Sequence, residues 1–447
     1  MILDGWRAGE VAVVGLGRSG VAATRLLARE GARVYASDAA DLPAAALTVL
    51  RDLPGVAVET GRHDLARIRA AAAVVVSPGV PPEAAPLAAA RAAGVAIVSE
   101  LDLGFRALPG VRCIAITGTN GKTTTTALTA HLLRAGGLAA EAAGNIGRPL
   151  ADIAVAGDRY TWLAVEVSSF QLHDSPHFAP EVGVLTNLAP DHLDRYPSVE
   201  AYYADKRLLF RNATDASTWV LNGDDQAVLA LAADARGQRV CFSLRGSADG
   251  WYDAAAARLM LEDAPLLPRT ELQLLGRHNV ANALAAALAA RRAGVSPPAI
   301  ADGLRAFRAL PHRLESVGVV AGILWINDSK ATNVASTAVA IAAMERPFVL
   351  LLGGRHKGEP YTSLAPLLAG RCKLVIAYGE AGALVERDLG RRVPLERGGS
   401  FEDVVARARR AAVPGDAVLL SPACSSYDMF ADYEERGATF RRLAAAP

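Results

Sequence analysis

Thr117-Gly118-Thr119-Asn120-Gly121-Lys122-Thr123-Thr124 lies between the apolar run Cys113 to Thr117 and a helical stretch. A glycine-rich passage from strand to helix turns several backbone N–H groups toward one point. Lys122 adds a positive charge there and Thr123 a hydroxyl within reach of Mg²⁺, so the stretch reads as a cradle for the phosphates of a nucleotide such as ATP. It departs from the general spacing G-x-x-x-x-G-K-T, which requires glycine where Ile116 stands.

Upstream, β-branched runs at Val11 to Val14, Ala73 to Ser77 and Val95 to Val98 alternate with alanine-rich helical stretches, the βαβ rhythm of a parallel sheet. Within that rhythm Gly15-Leu16-Gly17-Arg18-Ser19-Gly20 follows a strand and opens a helix, where backbone amides and the helix dipole can face a diphosphate. Asp38 ends the next strand, the place for an acid that meets a ribose or base. Alone, this fingerprint says dehydrogenase, and plain helix–sheet packing is its alternative. The rhythm breaks at Ala107 to Gly110 and restarts with the phosphate loop. It continues through strands at Leu163 to Val167 and Val182 to Asn187, a helix near 199–212 and an alanine-rich helix near 278–292. After Leu310-Pro311-His312-Arg313 a third series follows, with strands at Ile323 to Asn327, Phe348 to Leu352, Leu374 to Tyr378 and Ala417 to Leu420. The expectation is an α/β protein of three domains: a Rossmann-like 1–108, a phosphate-loop 109–310 and a Rossmann-like 311–447.

Of the 47 basic residues only five are lysines, at 122, 206, 330, 357 and 373. Arginine serves wherever a surface charge suffices, whereas an ammonium is a compact point charge whose amine can become a nucleophile. Four of the five lie in or just after GTNGKTT, DHLDRYPSVEAYYADK, NDSKATN and GGRHKG, while Lys373 opens the apolar run KLVIAY and reads as structural. A formal charge of +1 and the lack of a dense basic block give no reason to expect nucleic acid; small anionic ligands fit better. No apolar run approaches the roughly 18–20 residues of a membrane span. The opening MILDGWRAGEVAVVGLG has no basic leader before an apolar core, so a cytoplasmic protein is expected. Cys113, Cys241, Cys372 and Cys424 are scattered and read as reduced, mostly buried thiols.

The phosphate loop, with Ser77-Pro78-Gly79-Val80-Pro81, Gly144-Asn145-Ile146-Gly147, Glu166 through Leu172, Asn187 through Tyr196, Gly276-Arg277-His278-Asn279, Leu310 through Glu315 and Asn327 through Asn333, resembles the Mur ligases over nearly the whole chain. These are ATP-dependent, amide-forming enzymes of peptidoglycan precursor synthesis. The strings SSFQL, DHLDRY and SPACSSYDMF look like those of the members that add D-glutamate to UDP-N-acetylmuramoyl-L-alanine, and the D-N-P-R string of the diaminopimelate- or lysine-adding members is absent. The resemblance implies one domain each for the uridine nucleotide, for ATP and for the incoming amino acid. It places the UDP part of the substrate, rather than NAD, at Gly17, Arg18, Ser19 and Asp38, with Ser77, Asn145 and His192 beside it. ATP falls to Gly118, Thr119, Asn120, Gly121, Lys122, Thr123 and Thr124, with Asn279 and Asn282 for adenine, Asp328, and Arg313 reaching back on domain closure. Thr123, Glu166, His192 and a CO₂-carbamylated Lys206 are implied as the Mg²⁺ ligands, and D-glutamate falls to Lys330, Thr332, Lys357, Ser426 and Tyr433.

The residues themselves suit such chemistry. Activating a carboxylate with the γ-phosphoryl group of ATP sets anion against anion, so catalysis is largely positioning and charge neutralisation. Lys122 supplies charge, and Glu166, at the end of a buried-looking strand, is a hard-oxygen ligand or else a helix cap. His192 lies between Asp191 and Asp194 and reads as a metal-site residue or a loop histidine. Lys206 sits on an amphipathic helix, where a lone lysine is ordinarily a solvated charge, yet arginine has not replaced it. Asn279 and Asn282 share one helical face, with helix capping by Asn279 as the alternative. For the amino acid, Lys330 and Thr332 are expected on the reacting side, with Lys357, Ser426 and Tyr433 at the distal carboxylate. Arg355-His356 and Tyr433 depart from the family pattern. Competing readings are another amide ligase of this superfamily, an NAD-dependent oxidoreductase, which leaves Lys122, Lys206 and the third domain without work, and a non-catalytic nucleotide-binding module. A monomer is expected.

Overall fold

The computed structural model describes residues 6, 9–42, 44–193 and 195–446. Among these the strands form three sheets. The first runs Val56–Thr60, Arg33–Asp38, Glu10–Val14, Ala73–Val76, Ile97–Ser99, all parallel. Its central strands are apolar on both faces because helices cover both, which is why Val11 to Val14 and Ala73 to Val76 carry no alternation. The second sheet has nine strands and centres on Arg112–Thr117, with Val182–Leu185 on one side and Trp162–Glu166 on the other. The third has six, with Ala417–Leu420 between Ile323–Asn327 and Phe348–Gly353. In each sheet the order reverses beside a central strand, and such switch points leave a crevice beyond the carboxyl ends, where ligands bind.

By contacts the chain divides into two compact units, Met1–Glu271 with Ala281–Arg305, and Leu272–Val280 with Ala306–Pro447. The first holds the five- and nine-stranded sheets, which are coupled through helices. Helix Arg18–Arg29 and helix Glu100–Arg106 both pack on helix Leu150–Ala156. Arg29 Nη1 donates to Ala154 O at 2.6 Å, and Gly104 lies so close that a Cβ there would come within 2.5 Å of Leu150 Cβ. The second unit holds the six-stranded sheet, its core built from both faces of Phe348–Gly353 and Cys372–Tyr378.

Two features differ from the sequence expectation. Strands Gly250–Asp253, Arg258–Leu261 and Ala264–Pro268 extend the second sheet, the last two antiparallel, and Glu315–Val320 adds an antiparallel edge to the third. Their turns escape notice because Ala257, Glu262, Asp263 and Ala321 take the positive φ that glycine or asparagine would advertise. Strand Val182–Leu185 stops before Asn187, and the helix expected to 212 ends at Arg207, followed by a 3₁₀ turn Leu208–Phe210.

Candidate active site

The phosphate loop leaves strand Arg112–Thr117 and enters helix Lys122–Ala135 through two left-handed glycines, Gly118 (φ +142°) and Gly121 (φ +84°). Thr186 and Asn187 latch it. Thr186 Oγ1 donates to Asn120 O at 2.6 Å, and the Asn187 amide both accepts from Asn120 N and donates to Asn120 O at 2.9 Å. The truncated strand therefore gives up its last two residues to hold the loop. Gly121 opens the helix with no side-chain cap, which leaves first-turn amides to an anion. Asn282, on helix Arg277–Arg292, packs its Oδ1 where a Cβ at Gly121 would lie, 2.4 Å away.

Two lysines converge on this loop. Lys122 Nζ donates to Gly118 O (3.0 Å) and Thr119 O (2.7 Å), and Lys206 Nζ donates to the same Gly118 O at 2.8 Å. Lys206 is 1% exposed, so the alternative of a solvated surface charge falls away. The helix Val199–Arg207 turns this residue inward together with Tyr202, whose ring lies 4.7 Å below the amine. Burial, and then the nearby charge of Lys122, push the Lys206 amine well below the usual lysine range.

Glu166 ends strand Trp162–Glu166, one strand over from the loop and paired with Ile116. Its Oε1 accepts from Asn145 Nδ2 at 2.9 Å, while Oε2 is buried without a hydrogen-bond partner among the described residues. The capping alternative for Glu166 falls away, because Ser168 caps helix Ser169–His173 in a reciprocal box with Gln171. A buried carboxylate oxygen with nothing to accept from suits a hard cation. His192 stands on an exposed turn at φ +55°, its ring against Phe170 and Tyr202 and its Nε2 3.7 Å from Asp191 Oδ2. Asp194 lies outside the described residues. Among the described residues no group of three or more His, Cys, Asp or Glu side chains is arranged to hold a metal.

In the first loop, Asp38 is occupied locally. Its Oδ2 accepts from Leu16 N at 2.6 Å and its Oδ1 from Ala40 N at 2.9 Å, so it closes the glycine turn. Ser77 Oγ donates to Gly15 O at 2.7 Å. Gly17 is the backbone cap of helix Arg18–Arg29, and Ser19 sits in its first turn. Arg18 Nη2 donates to Gly147 O, which ties this loop to the Gly144–Gly147 turn beside Asn145. A small cleft lies between Val76–Pro82 and the segment Phe170 to Asp174. His173 lines it, raised by its hydrogen bond to Asp205.

In the second unit, Lys330 Nζ donates to Tyr433 OH at 3.1 Å and Lys357 Nζ to Thr332 Oγ1 at 3.2 Å. The expected division of these residues into a reacting and a distal cluster is crossed by both bonds, because the loops after Ile323–Asn327 and Phe348–Gly353 meet at the carboxyl edge of one sheet. Ser426 is buried in the next loop. Arg355 pairs with Glu380, and His356 Nδ1 shares a hydrogen bond with Tyr361 OH, so the Arg355-His356 departure from the family pattern has local partners. Asp328 accepts from Leu314 N and Ser421 Oγ; burial raises its carboxyl to about 7 despite the nearby charge of Arg313. Asn279 Nδ2 donates to Leu275 O at 2.8 Å, an anchoring role toward the chain before its helix.

Sequence comparison agrees with this layout of loops. The profile of the Mur ligase MurD-like N-terminal domain matches residues 9–99, that of the Mur ligase middle domain 116–290 and that of the Mur ligase glutamate ligase domain 312–424. The chain belongs to the Mur ligase family. It is 43% identical to the UDP-N-acetylmuramoylalanine--D-glutamate ligase of Salinibacter ruber, over 99% of each chain. To the protein of the same name from Anaeromyxobacter dehalogenans it is 44% identical, over 97% of each. Among solved structures, the UDP-N-acetylmuramate-alanine ligase of Thermotoga maritima matches with a TM-score of 0.61 at 18% identity, covering 98% of this chain and 100% of that one. The pseudomurein peptide ligase type C of Methanothermus fervidus matches at 0.60 and 20%, covering 98% and 99%. At such identities the two structures speak for the shared Mur ligase fold. As a Mur ligase the chain is an ATP-dependent, amide-forming enzyme, and among the described residues no helix is long and apolar enough to cross a membrane.

Residues that sequence reasoning missed are Thr186 as a latch, Tyr202 beneath Lys206, and the pair His173–Asp205. Only Thr186 had a local signal, its place beside Asn187 at a strand end.

Proposed function

We propose that this Mur ligase adds D-glutamate to UDP-N-acetylmuramoyl-L-alanine, with ATP converted to ADP and phosphate, in peptidoglycan precursor synthesis. The observation that carries the reading is the full-length match, at 43% identity, to a ligase named for that reaction. Residues 1–108 bind the UDP portion, 109–310 bind ATP and 311–447 bind the amino acid.

In the first step a substrate carboxylate oxygen attacks the γ-phosphorus and ADP leaves, giving an acyl phosphate. The D-glutamate amine then attacks the acyl carbon, phosphate leaves and the amine loses a proton. Gly118 through Thr124 hold the ATP phosphates on helix amides, and Lys122, now folded onto the loop carbonyls, exchanges those acceptors for phosphate oxygens. Asn282 borders the loop on the adenine side. The assignments of Asn279, Arg313 and Asp328 to ATP rest on the family resemblance alone. Mg²⁺ when bound neutralises the transferring charge, and Thr123, Glu166 through its open Oε2, His192 and modified Lys206 are the residues to hold it. The depressed Lys206 amine is suited to attack CO₂: a C–N bond forms, a C=O electron pair moves to oxygen, and the amine proton leaves, turning an amine into an anionic oxygen donor. Gly17, Arg18, Ser19, Asp38, Ser77, Asn145 and His192 line the UDP end, and Lys330, Thr332, Lys357, Ser426 and Tyr433 take D-glutamate. The enzyme works as a cytoplasmic monomer.

Phosphate release measured with UDP-N-acetylmuramoyl-L-alanine, ATP, Mg²⁺ and single amino acids tests the reading. Release is expected with D-glutamate and poorly with L-glutamate. Equal turnover of both enantiomers overturns the assignment.

A further inference from the structure

Arg436 is among the largest fully buried side chains, with 0% exposure, on helix Tyr433–Ala445. An ion removed from water is ordinarily matched by an opposite charge. Here every acceptor among the described residues is neutral. Nε donates to Ser329 Oγ at 2.9 Å, Nη2 to Ser329 O at 2.8 Å and Cys424 O at 3.1 Å, and Nη1 to Ser425 O at 3.3 Å. Asp428, whose charge is felt at Tyr378 and Cys424 together with that of Arg436, instead accepts from Glu380 N.

The tethered atoms are not scattered. Ser329 precedes Lys330, and Ser425 precedes Ser426. Tyr433 lies one turn before Arg436 and accepts at its carbonyl from Ser329 Oγ at 2.8 Å. Gly354, which leads into the Lys357 loop, sits so close that a Cβ there would come within 3.2 Å of Arg436 Nη1. Four separate segments of the second unit thus meet at one guanidinium, and each carries a residue of the acceptor assignment. A planar fork with five donors can hold several carbonyls at once, which an ammonium cannot.

We propose that Arg436 is a positioning residue that sets acceptor specificity: it ties together the segments bearing Lys330, Lys357, Ser426 and Tyr433 and lends them a buried positive charge that no carboxylate among the described residues hydrogen-bonds, so that the favoured acceptor is a dicarboxylate. The inference rests on the reading that the acceptor is D-glutamate held by these loops. Among the described residues no carboxylate hydrogen-bonds to this guanidinium, and the distal carboxylate of the acceptor is the anion that completes it.

The test compares D-glutamate with D-glutamine, its neutral counterpart, as acceptors for the wild type, Arg436→Met and Arg436→Lys, each variant checked by circular dichroism and melting midpoint. Wild type is expected to favour D-glutamate, and indifference to the distal carboxylate would overturn the acceptor reading and this inference with it. With that preference established, Arg436→Met is expected to raise KM for D-glutamate about tenfold or more and to shrink the preference in kcat/KM by a similar factor, with KM for ATP little changed. Arg436→Lys keeps the charge and loses the fork, so the preference should persist while KM for D-glutamate rises several-fold. A folded Arg436→Met with the wild-type preference, or an Arg436→Lys with the wild-type KM, overturns the proposal. If Arg436→Met does not fold, the lysine variant decides on its own.

Discussion

Lys206 changes meaning once its surroundings are known. On an exposed helix face an arginine would replace it without effect, but at 1% exposure a guanidinium must also find room, so Lys206→Arg alone confounds size with chemistry. The sharper experiment removes the side chain. Lys206→Ala is expected to lose activity at least a hundredfold and to regain part of it with formate or acetate, whose oxygens occupy the vacated space; wild type stripped of CO₂ should lose activity and recover it with bicarbonate. Full activity of the CO₂-depleted enzyme, followed by phosphate release, would remove the carbamate from the scheme. Lys373 is the internal control. It pairs with Asp416 at 2.6 Å at a half-exposed position, so Lys373→Arg should keep turnover within about twofold and stability within roughly 0.5 kcal/mol.

At the scale of elements, the phosphate loop depends on what the neighbouring strand surrenders. Gly118 holds φ +142°, and a Cβ there would lie 2.0 Å from Thr186 Oγ1, the latch, and 3.1 Å from Asn187 O. Backbone strain of this kind costs on the order of 1–3 kcal/mol before any collision is counted. Because Lys122 and Lys206 both donate to Gly118 O, shifting this one peptide moves both amines. Gly118→Ala should therefore cut turnover by more than tenfold while circular dichroism stays native. A variant with wild-type kcat and KM for ATP would mean that the loop is not the ATP site. The strand, the glycines and the helix after them were legible in the sequence, since each obeys a local rule: an apolar run, a residue free at positive φ, a helix start. The early end of the strand at Leu185 was not, because Thr186 suits a strand and only the bonds of Thr186 and Asn187 to a loop 66 to 67 residues away fix where it ends.

At the scale of the molecule, the first two sheets are joined at helix Leu150–Ala156, and that joint is titratable. Glu100 Oε1 accepts from Ala151 N at 2.7 Å, Oε2 has no partner among the described residues, and burial raises the carboxyl from 4.5 to about 7, with the charge of Asp152 adding to the rise. The folded value lies above the unfolded one, so the neutral acid is favoured on folding. Its stabilising contribution is complete below about 4.5 and is lost as pH climbs through about 7, a fall of roughly 3 kcal/mol. Glu100→Gln keeps an acceptor for Ala151 N without the ionisation. Urea melts at pH 5.5 and 8 should show wild type losing about 2 kcal/mol more than the variant across that interval. Parallel losses would show that Glu100 does not titrate as buried. Asp328, raised to about 7 in the second unit, acts in the same direction in both proteins and cancels from the comparison.

Residue types and their local order determined the α/β rhythm, the two glycine loops, the scarce lysines and, through them, the Mur ligase resemblance, because helix and strand periods and turn chemistry act over a few residues. Tertiary structure decided which charges are buried and what they touch. Lys206 became a buried amine only by packing against the loop of Gly118, 88 positions away, and Arg436, one arginine among many in the sequence, became the hub of four segments only by meeting Ser329, 107 positions away. Burial and hydrogen-bond partners depend on which distant segments the sheets bring to the same edge, and no window of sequence contains that pairing.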